Sequence, residues 1–192
     1  MKRDTRQAIL LAGAELIHRQ GFNRTGIKEI LDLAGVPKGS FYFYFPSKEA
    51  FGLALIDHFT EHMGGTARSI LFDPGLPPLE RLARFFATLR EKFSDLHCAR
   101  GCPIGNLSQE MSDLSPAIQQ RVCAAFSGMA GLLARVLGEA AERGELSGGI
   151  DPDQAAAFIV DAWEGALLRM KAEKRIDPLL RFEDIIFTRV LR

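Results

Sequence analysis

Thr25-Gly-Ile-Lys-Glu-Ile-Leu-Asp-Leu-Ala-Gly-Val-Pro-Lys-Gly-Ser-Phe-Tyr-Phe-Tyr-Phe-Pro-Ser-Lys-Glu-Ala-Phe51 is the stretch whose reading decides the fold. Ile27, Ile30, Leu31 and Leu33 recur at helical spacing through Ala34, and Thr25 stands where a hydroxyl can cap that helix. Gly35-Val36 reads as a tight turn. Pro37 suits the first turn of a second short helix, where its missing N–H costs nothing, and that helix runs to about Phe43. Pro46 ends it and Ser47 caps the next. A full capping box would need Glu or Gln where Ala50 stands, but Glu49 still favours the first-turn dipole. Upstream, Ala8, Ile9, Leu11, Ala12, Ala14, Leu16 and Ile17 form an apolar stripe over residues 4–20, which Gly21 stops. A supporting helix followed by two short helices around a glycine turn is the helix-turn-helix pattern.

Working outward, the rest of the chain also reads as helix. Ser47 opens a helix to about Leu71. The run Asp73-Pro-Gly-Leu-Pro-Pro78 is a loop, and a fifth helix covers about 78–96. An irregular joint at 99–103 leads into a short helix to about 111. Ser115-Pro116 opens a helix to about Gly144, Asp151-Pro152 another to about Arg175, and Asp177-Pro178 the last. No β-alternation and no internal repeat stand out. The predicted class is all-α with about nine helices. Residues 1–48 are expected to form a three-helix DNA-binding domain, and residues 49–192 a second, larger helical domain.

The composition, 47% hydrophobic and 25% charged over 192 residues, supplies an ordinary globular core. No uninterrupted apolar run approaches the ~18 residues of a membrane span, and the charged start does not resemble a signal peptide. The expected location is therefore the cytoplasm, with no membrane partner. Three cysteines, an odd number with two crowded together, fit a reducing compartment better than a disulfide framework. The formal net charge is zero, but it is unevenly spread. Residues 1–48 hold eight bases (Lys2, Arg3, Arg6, Arg19, Arg24, Lys28, Lys38, Lys48) and four acids. A head of +4 thus sits on a body of −4, as expected when only the head meets phosphate.

A recognition helix must bring small and polar groups near its N-terminus against base edges in the major groove. Pro37, Lys38, Gly39 and Ser40 fit that task. Tyr42 and Tyr44 offer hydroxyls on rigid rings to phosphates. Thr25 and Lys48 lie at helix starts, where backbone N–H groups also attract phosphate, and Arg24 and Lys28 add charge. Phe41, Phe45 and Phe51 read as the core of the three-helix unit. The partner implied is double-stranded operator DNA.

The string Gly35-Val-Pro-Lys-Gly-Ser-Phe-Tyr-Phe-Tyr-Phe-Pro-Ser-Lys48 resembles the DNA-binding signature of the TetR family, over about residues 5–52. Phe43 departs from it, because the family commonly has His there. The resemblance implies a repressor that binds palindromic operator DNA as a homodimer, holds a small-molecule effector among its central helices, and dimerises through the last two long ones. Phe86, Phe93, Phe126 and Trp163 stand on apolar faces compatible with such a pocket and equally compatible with plain packing. Ala155, Ala156, Ala157, Gly165 and Ala166 are small enough for helices to approach closely at a dimer interface.

The joint Arg100-Gly-Cys-Pro-Ile-Gly-Asn-Leu-Ser-Gln-Glu-Met-Ser-Asp113 and the block Trp163–Lys171 resemble a TetR subgroup that controls detoxification of electrophiles and aldehyde-like compounds, where a cysteine at this place is in some members a sensor. Cys102 precedes Pro103, so it falls at a helix N-cap. There the dipole stabilises a thiolate, and Lys171 or Arg100 could add a cation. A buried, inert thiol fits the same sequence. His97, Cys98 and Cys102 lack a fourth ligand for a convincing metal site. No cofactor motif, nucleophile elbow, metalloprotease or phosphate-loop motif is present, so the enzyme reading is poor. A helical carrier or enzyme with an incidental basic head, and an activator of the same fold, remain as competing readings.

Overall fold

The computed structural model describes residues 4–192; Lys2 and Arg3 of the basic head lie outside the described residues. Nine α-helices and a closing π-helical turn account for the regular structure of the described residues. They gather into two compact units that interleave along the chain. The first holds the residues up to Glu61 together with Pro103–Ala125, and the second holds His62–Cys102 with Phe126–Arg192.

The first unit begins with α1 (Thr5–Gln20), capped by Asp4, whose carboxylate accepts from Gln7 N. Gly21 ends α1 at φ 93°, a backbone conformation open to glycine. Helix α2 (Ile27–Ala34) starts from Gly26, not from the hydroxyl of Thr25. That hydroxyl turns back to donate to Gly21 O at 2.6 Å, and Glu29 accepts from Gly26 N at 3.2 Å instead. Leu33, expected to face inward, is exposed, because Ile30, Leu31 and Ala34 already fill the buried arc of this short helix. Gly35 closes α2 in the left-handed region at φ 66°. Helix α3 (Ser40–Tyr44) begins three residues after Pro37, since residues 37–39 form a turn in which Ser40 N donates to Pro37 O at 3.0 Å. Ser47 Oγ accepts from Ala50 N at 3.0 Å and so caps α4 (Lys48–Leu71), as its sequence indicates. The unit is completed by α6 (Pro103–Met111) and by the start of α7 (Pro116–Glu142), which Ser115 caps by accepting from Ile118 N.

A helix of five residues has one turn of hydrogen bonds and no stability of its own. Helix α3 is held by its aromatics. Phe41 and Phe45 lie 5.2 and 4.8 Å from the ring of Phe51 on α4, all three buried and inclined edge to face. On α1, Gly13 makes room for that ring: a Cβ there would stand 2.2 Å from Phe51 Cζ.

The second unit contains the remainder of α4 and α7, with α5 (Pro78–Asp95), α8 (Pro152–Glu173), α9 (Asp177–Ile185) and the π-helical turn Ile186–Val190. Its centre is aromatic. Trp163 of α8 sits 5.0 Å from Phe86 of α5 and 5.1 Å from Phe182 of α9, with Phe93 at 6.4 Å. Arg81 is buried beside this core and donates to Leu71 O and to the Glu139 carboxylate, so its charge is paired. Helix α7 is long and apolar enough, by length and composition, to cross a membrane. However, it carries Arg135 stacked on the Phe72 ring and Glu139 paired with Arg81, and it buries Leu133, Val136, Leu137 and Ala140 in the unit's core. These contacts are those of a domain helix.

The contact at Gly13 yields a stability prediction. Gly13→Ala gains helix propensity, but its methyl meets a ring that is walled in by Phe41 and Phe45. The variant should lose about 1–3 kcal/mol in urea unfolding, the usual cost of overpacking. A variant as stable as the parent would show that Phe51 can yield.

Candidate functional site

The fold sorts the residues 24–48 into an anchored set and an outward set. Phe41 and Phe45 are buried, whereas Tyr42 and Phe43, between them, are 64% and 82% exposed. The alternation follows from α3 being a single turn fixed through its two inward rings. Lys38 and Gly39 are exposed in the turn before α3, beside exposed Pro37, and Ser40 is half-buried at the helix start. A Cβ added at Gly39 would meet nothing within 4 Å, so this corner is open to an approaching surface. Tyr44 is half-buried with its ring edge-on to Phe43 at 4.9 Å. Arg24 and Lys28 are exposed on the α1–α2 connection and on α2.

Two of the expected residues are placed differently. Thr25 is fully buried and its hydroxyl is committed to Gly21 O, which leaves its side chain off the surface. Lys48 is turned toward the α1–α2 connection, where its Nζ lies 4.8 Å above the Phe22 ring and donates to Asn23 O at 3.4 Å. Burial pushes the Lys48 ammonium below the ordinary lysine range, and attraction to the Glu110 carboxylate partly offsets that.

Among the expected sensing residues, Phe86, Phe93 and Trp163 come together in the aromatic core of the second unit, joined by Phe182, which the sequence reading passed over. Phe126 is half-buried on α7. Cys102 is buried, directly before the first residue of α6. The chain reaches it through an unusual backbone: His97, Cys98, Arg100 and Gly101 all have φ between 53° and 71°. For the three non-glycine residues this conformation is strained.

Beside Cys102 the structure places a carboxylate, Glu164 of α8, which accepts a hydrogen bond from the thiol. Burial raises the Glu164 carboxyl above the ordinary carboxylate range, and the thiol's hydrogen bond draws it part of the way back. Lys171 is half-buried on the same helix seven residues later, roughly two turns or ~10 Å along its axis. The signal for Glu164 was present in the sequence as an acid between Trp163 and Leu167, on a helix face otherwise apolar. Among the described residues no group of three or more metal-ligating side chains comes together.

Residues 9–55 match the family described as bacterial regulatory proteins, tetR family, and residues 78–186 match the tetracyclin repressor-like C-terminal domain. The chain is 34% identical to the HTH-type transcriptional repressor DhaR of Mycobacterium sp. (strain GP1), over 97% of this chain and 92% of the relative. A solved regulatory protein TetR from Rhodobacter sphaeroides superposes with a TM-score of 0.90 at 38% identity, covering 97% of this chain and 98% of that one. The reduced form of Escherichia coli NemR superposes with a TM-score of 0.81 at 30% identity, covering 96% of each chain.

The raised carboxyl of Glu164 makes stability depend on pH with a definite sign. Between its unfolded and folded pKa values the folded chain binds the extra proton, so stability falls as pH rises from the ordinary carboxylate range through the folded value. Glu183, also pushed up by burial against the pull of Arg90, is common to parent and variant. Urea unfolding of Glu164→Gln should therefore gain on the parent as pH is taken from about 4 to 7. A constant gap across that range would contradict the assignment.

Proposed function

The chain belongs to the TetR family of bacterial transcriptional regulators, and on that footing we propose that it is a dimeric repressor whose residues 1–48 read a palindromic operator while residues 49–192 sense a small molecule. The observation that carries this reading is the single-turn helix α3, pinned by Phe41 and Phe45 and presenting Tyr42 and Phe43 outward beside Lys38 and Gly39. A rigid, protruding helix start with a bare glycine suits close approach to base edges. Lys38, Arg24 and Lys28 supply phosphate contacts, and Tyr42 and Tyr44 supply hydroxyls to the backbone. Phe43 brings an apolar ring where the family commonly has a charged or hydrogen-bonding one. Thr25 contributes through its backbone, since its side chain is buried. Such a protein acts in the cytoplasm, where the DNA is.

Dimerisation is assigned to α8 and α9, which leave Phe158, Leu168, Leu180 and Ile185 exposed. Ala157 and Gly165 lie exposed on α8, while Ala155 and Ala156 are already buried in the second unit. Two heads related by a two-fold axis match an operator with paired half-sites.

The sensing residue is Cys102, and Phe86, Phe93, Phe126, Trp163 and Lys171 are assigned to the effector. Its burial protects it at rest, and its thiol donates a hydrogen bond to Glu164. That a similar protein, NemR, is described in a reduced form supports a redox-linked signal. A modified or ligand-occupied state releases DNA only if it fits the DNA-incompetent conformation better than the competent one. Helix α4, which continues from Ser47 out of the DNA-reading segment, is the lever for that shift.

Two experiments test this reading. Tyr42→Ala and Lys38→Ala should each weaken operator binding about tenfold or more while melting like the parent, a loss equivalent to ~1–3 kcal/mol for each contact. The slope of log K against log salt should be on the order of −5 for the dimer. Parental affinity in both variants would show that another surface reads DNA. In the second experiment, maleimide should release the parent and Cys98→Ser from operator and leave Cys102→Ser bound. Equal release of the parent and Cys102→Ser would remove Cys102 as the sensor and leave the noncovalent pocket.

A further inference from the structure

One side chain in the first unit is not used by the operator-reading surface, yet it organises that surface's foundation. Glu110 is the penultimate residue of α6. Its Oε1 accepts from Phe22 N at 3.1 Å and its Oε2 accepts from Asn23 N at 2.9 Å. The backbone carbonyl of Glu110 accepts from Asn23 Nδ2 at 3.4 Å. A residue 88 positions downstream thus grips two successive backbone N–H groups of the connection between α1 and α2. That connection determines how α2 and α3 leave α1.

The grip suits a carboxylate alone. Two adjacent N–H donors need two acceptor oxygens, and a Gln would turn an NH₂ donor toward one of them. Charged acceptors also make the stronger hydrogen bonds. The surroundings are cut to fit. Gly21 leaves φ 93° backbone under the carboxylate, and a Cβ there would stand 2.8 Å from Oε1. Lys48, itself at the start of α4, donates to Asn23 O, lies over the Phe22 ring and is attracted by Glu110. The ends of α1, α4 and α6 therefore meet at one carboxylate.

We propose that Glu110 is the positioning residue through which α6 and the operator-reading helices are coupled. This rests on the DNA-binding reading given above. A shift of Phe22 and Asn23 strains both hydrogen bonds to Glu110, and a shift of α6 strains the same two bonds. Coupling between two sites is reciprocal, so DNA bound at α3 must be felt at α6 just as a displacement of α6 must be felt at α3. The reciprocal direction needs no knowledge of the effector.

The test is amide hydrogen exchange of the full-length protein, with and without a saturating DNA fragment taken from upstream of its own gene. In the parent, exchange across residues 103–111 should slow by about fivefold or more when DNA is added, the lower end of ordinary allosteric coupling. In Glu110→Gln the same saturation should protect residues 40–44 but leave 103–111 unchanged. Asn23→Ala, which keeps both backbone N–H contacts, should respond like the parent. If Glu110→Gln melts too early to be saturated, Glu110→Asp carries the same expectation, because its shorter arm cannot reach both N–H groups. A parental response of 103–111 in the Glu110 variants, or no response in the parent, overturns the proposal. Absence of DNA-dependent protection at 40–44 in the parent would instead show that the DNA-binding reading itself has failed.

Discussion

The ring of Phe51 against Gly13 is the contact on which the DNA-reading half depends. Helix α3 is one turn long and would not persist in water unaided. It exists because Phe41 and Phe45 pack on Phe51, and Phe51 can reach them because α1 carries no side chain at position 13. The outward direction of Tyr42 and Phe43 follows from the inward direction of their neighbours. A protein that must recognise DNA thereby obtains a rigid, short reading element without a long helix to support it.

The sensing half obeys a different constraint. Its core is a set of packed rings around Trp163, and its ionisable groups are matched: Arg81 with Glu139 and Arg90 with Glu183. Cys102 enters this setting next to the half-buried carboxylate of Glu164, to which its thiol donates a hydrogen bond.

Most helices were legible because the punctuation is local. Asp4, Ser47, Ser115 and Asp151 cap the helices they precede, and Gly21 and Gly35 end theirs at positive φ. The extent of α2 follows the apolar spacing from Ile27 to Ala34, but its cap was misjudged, because a threonine in a capping position can as easily bond backward, and Thr25 does so. Leu33 was misread for a related reason: the arc of an eight-residue helix is too narrow to bury every apolar residue it holds. The split between buried Phe41, Phe45 and Phe51 and the exposed Lys38 and Tyr42 could be read because residue type and order act locally there. Glu110 could not, since its role arises from partners far along the chain, and no spacing pattern announces a carboxylate that grips two distant N–H groups.

Operator recognition rests on α3 reading DNA of two-fold symmetry. Hydroxyl-radical footprinting of the DNA upstream of the gene, titrated with the intact protein, addresses it directly. The predicted result is two symmetric protected half-sites centred about one helical turn, ~34 Å, or a multiple of it apart. Uniform protection along the fragment, or a single half-site with no symmetric partner, would contradict it.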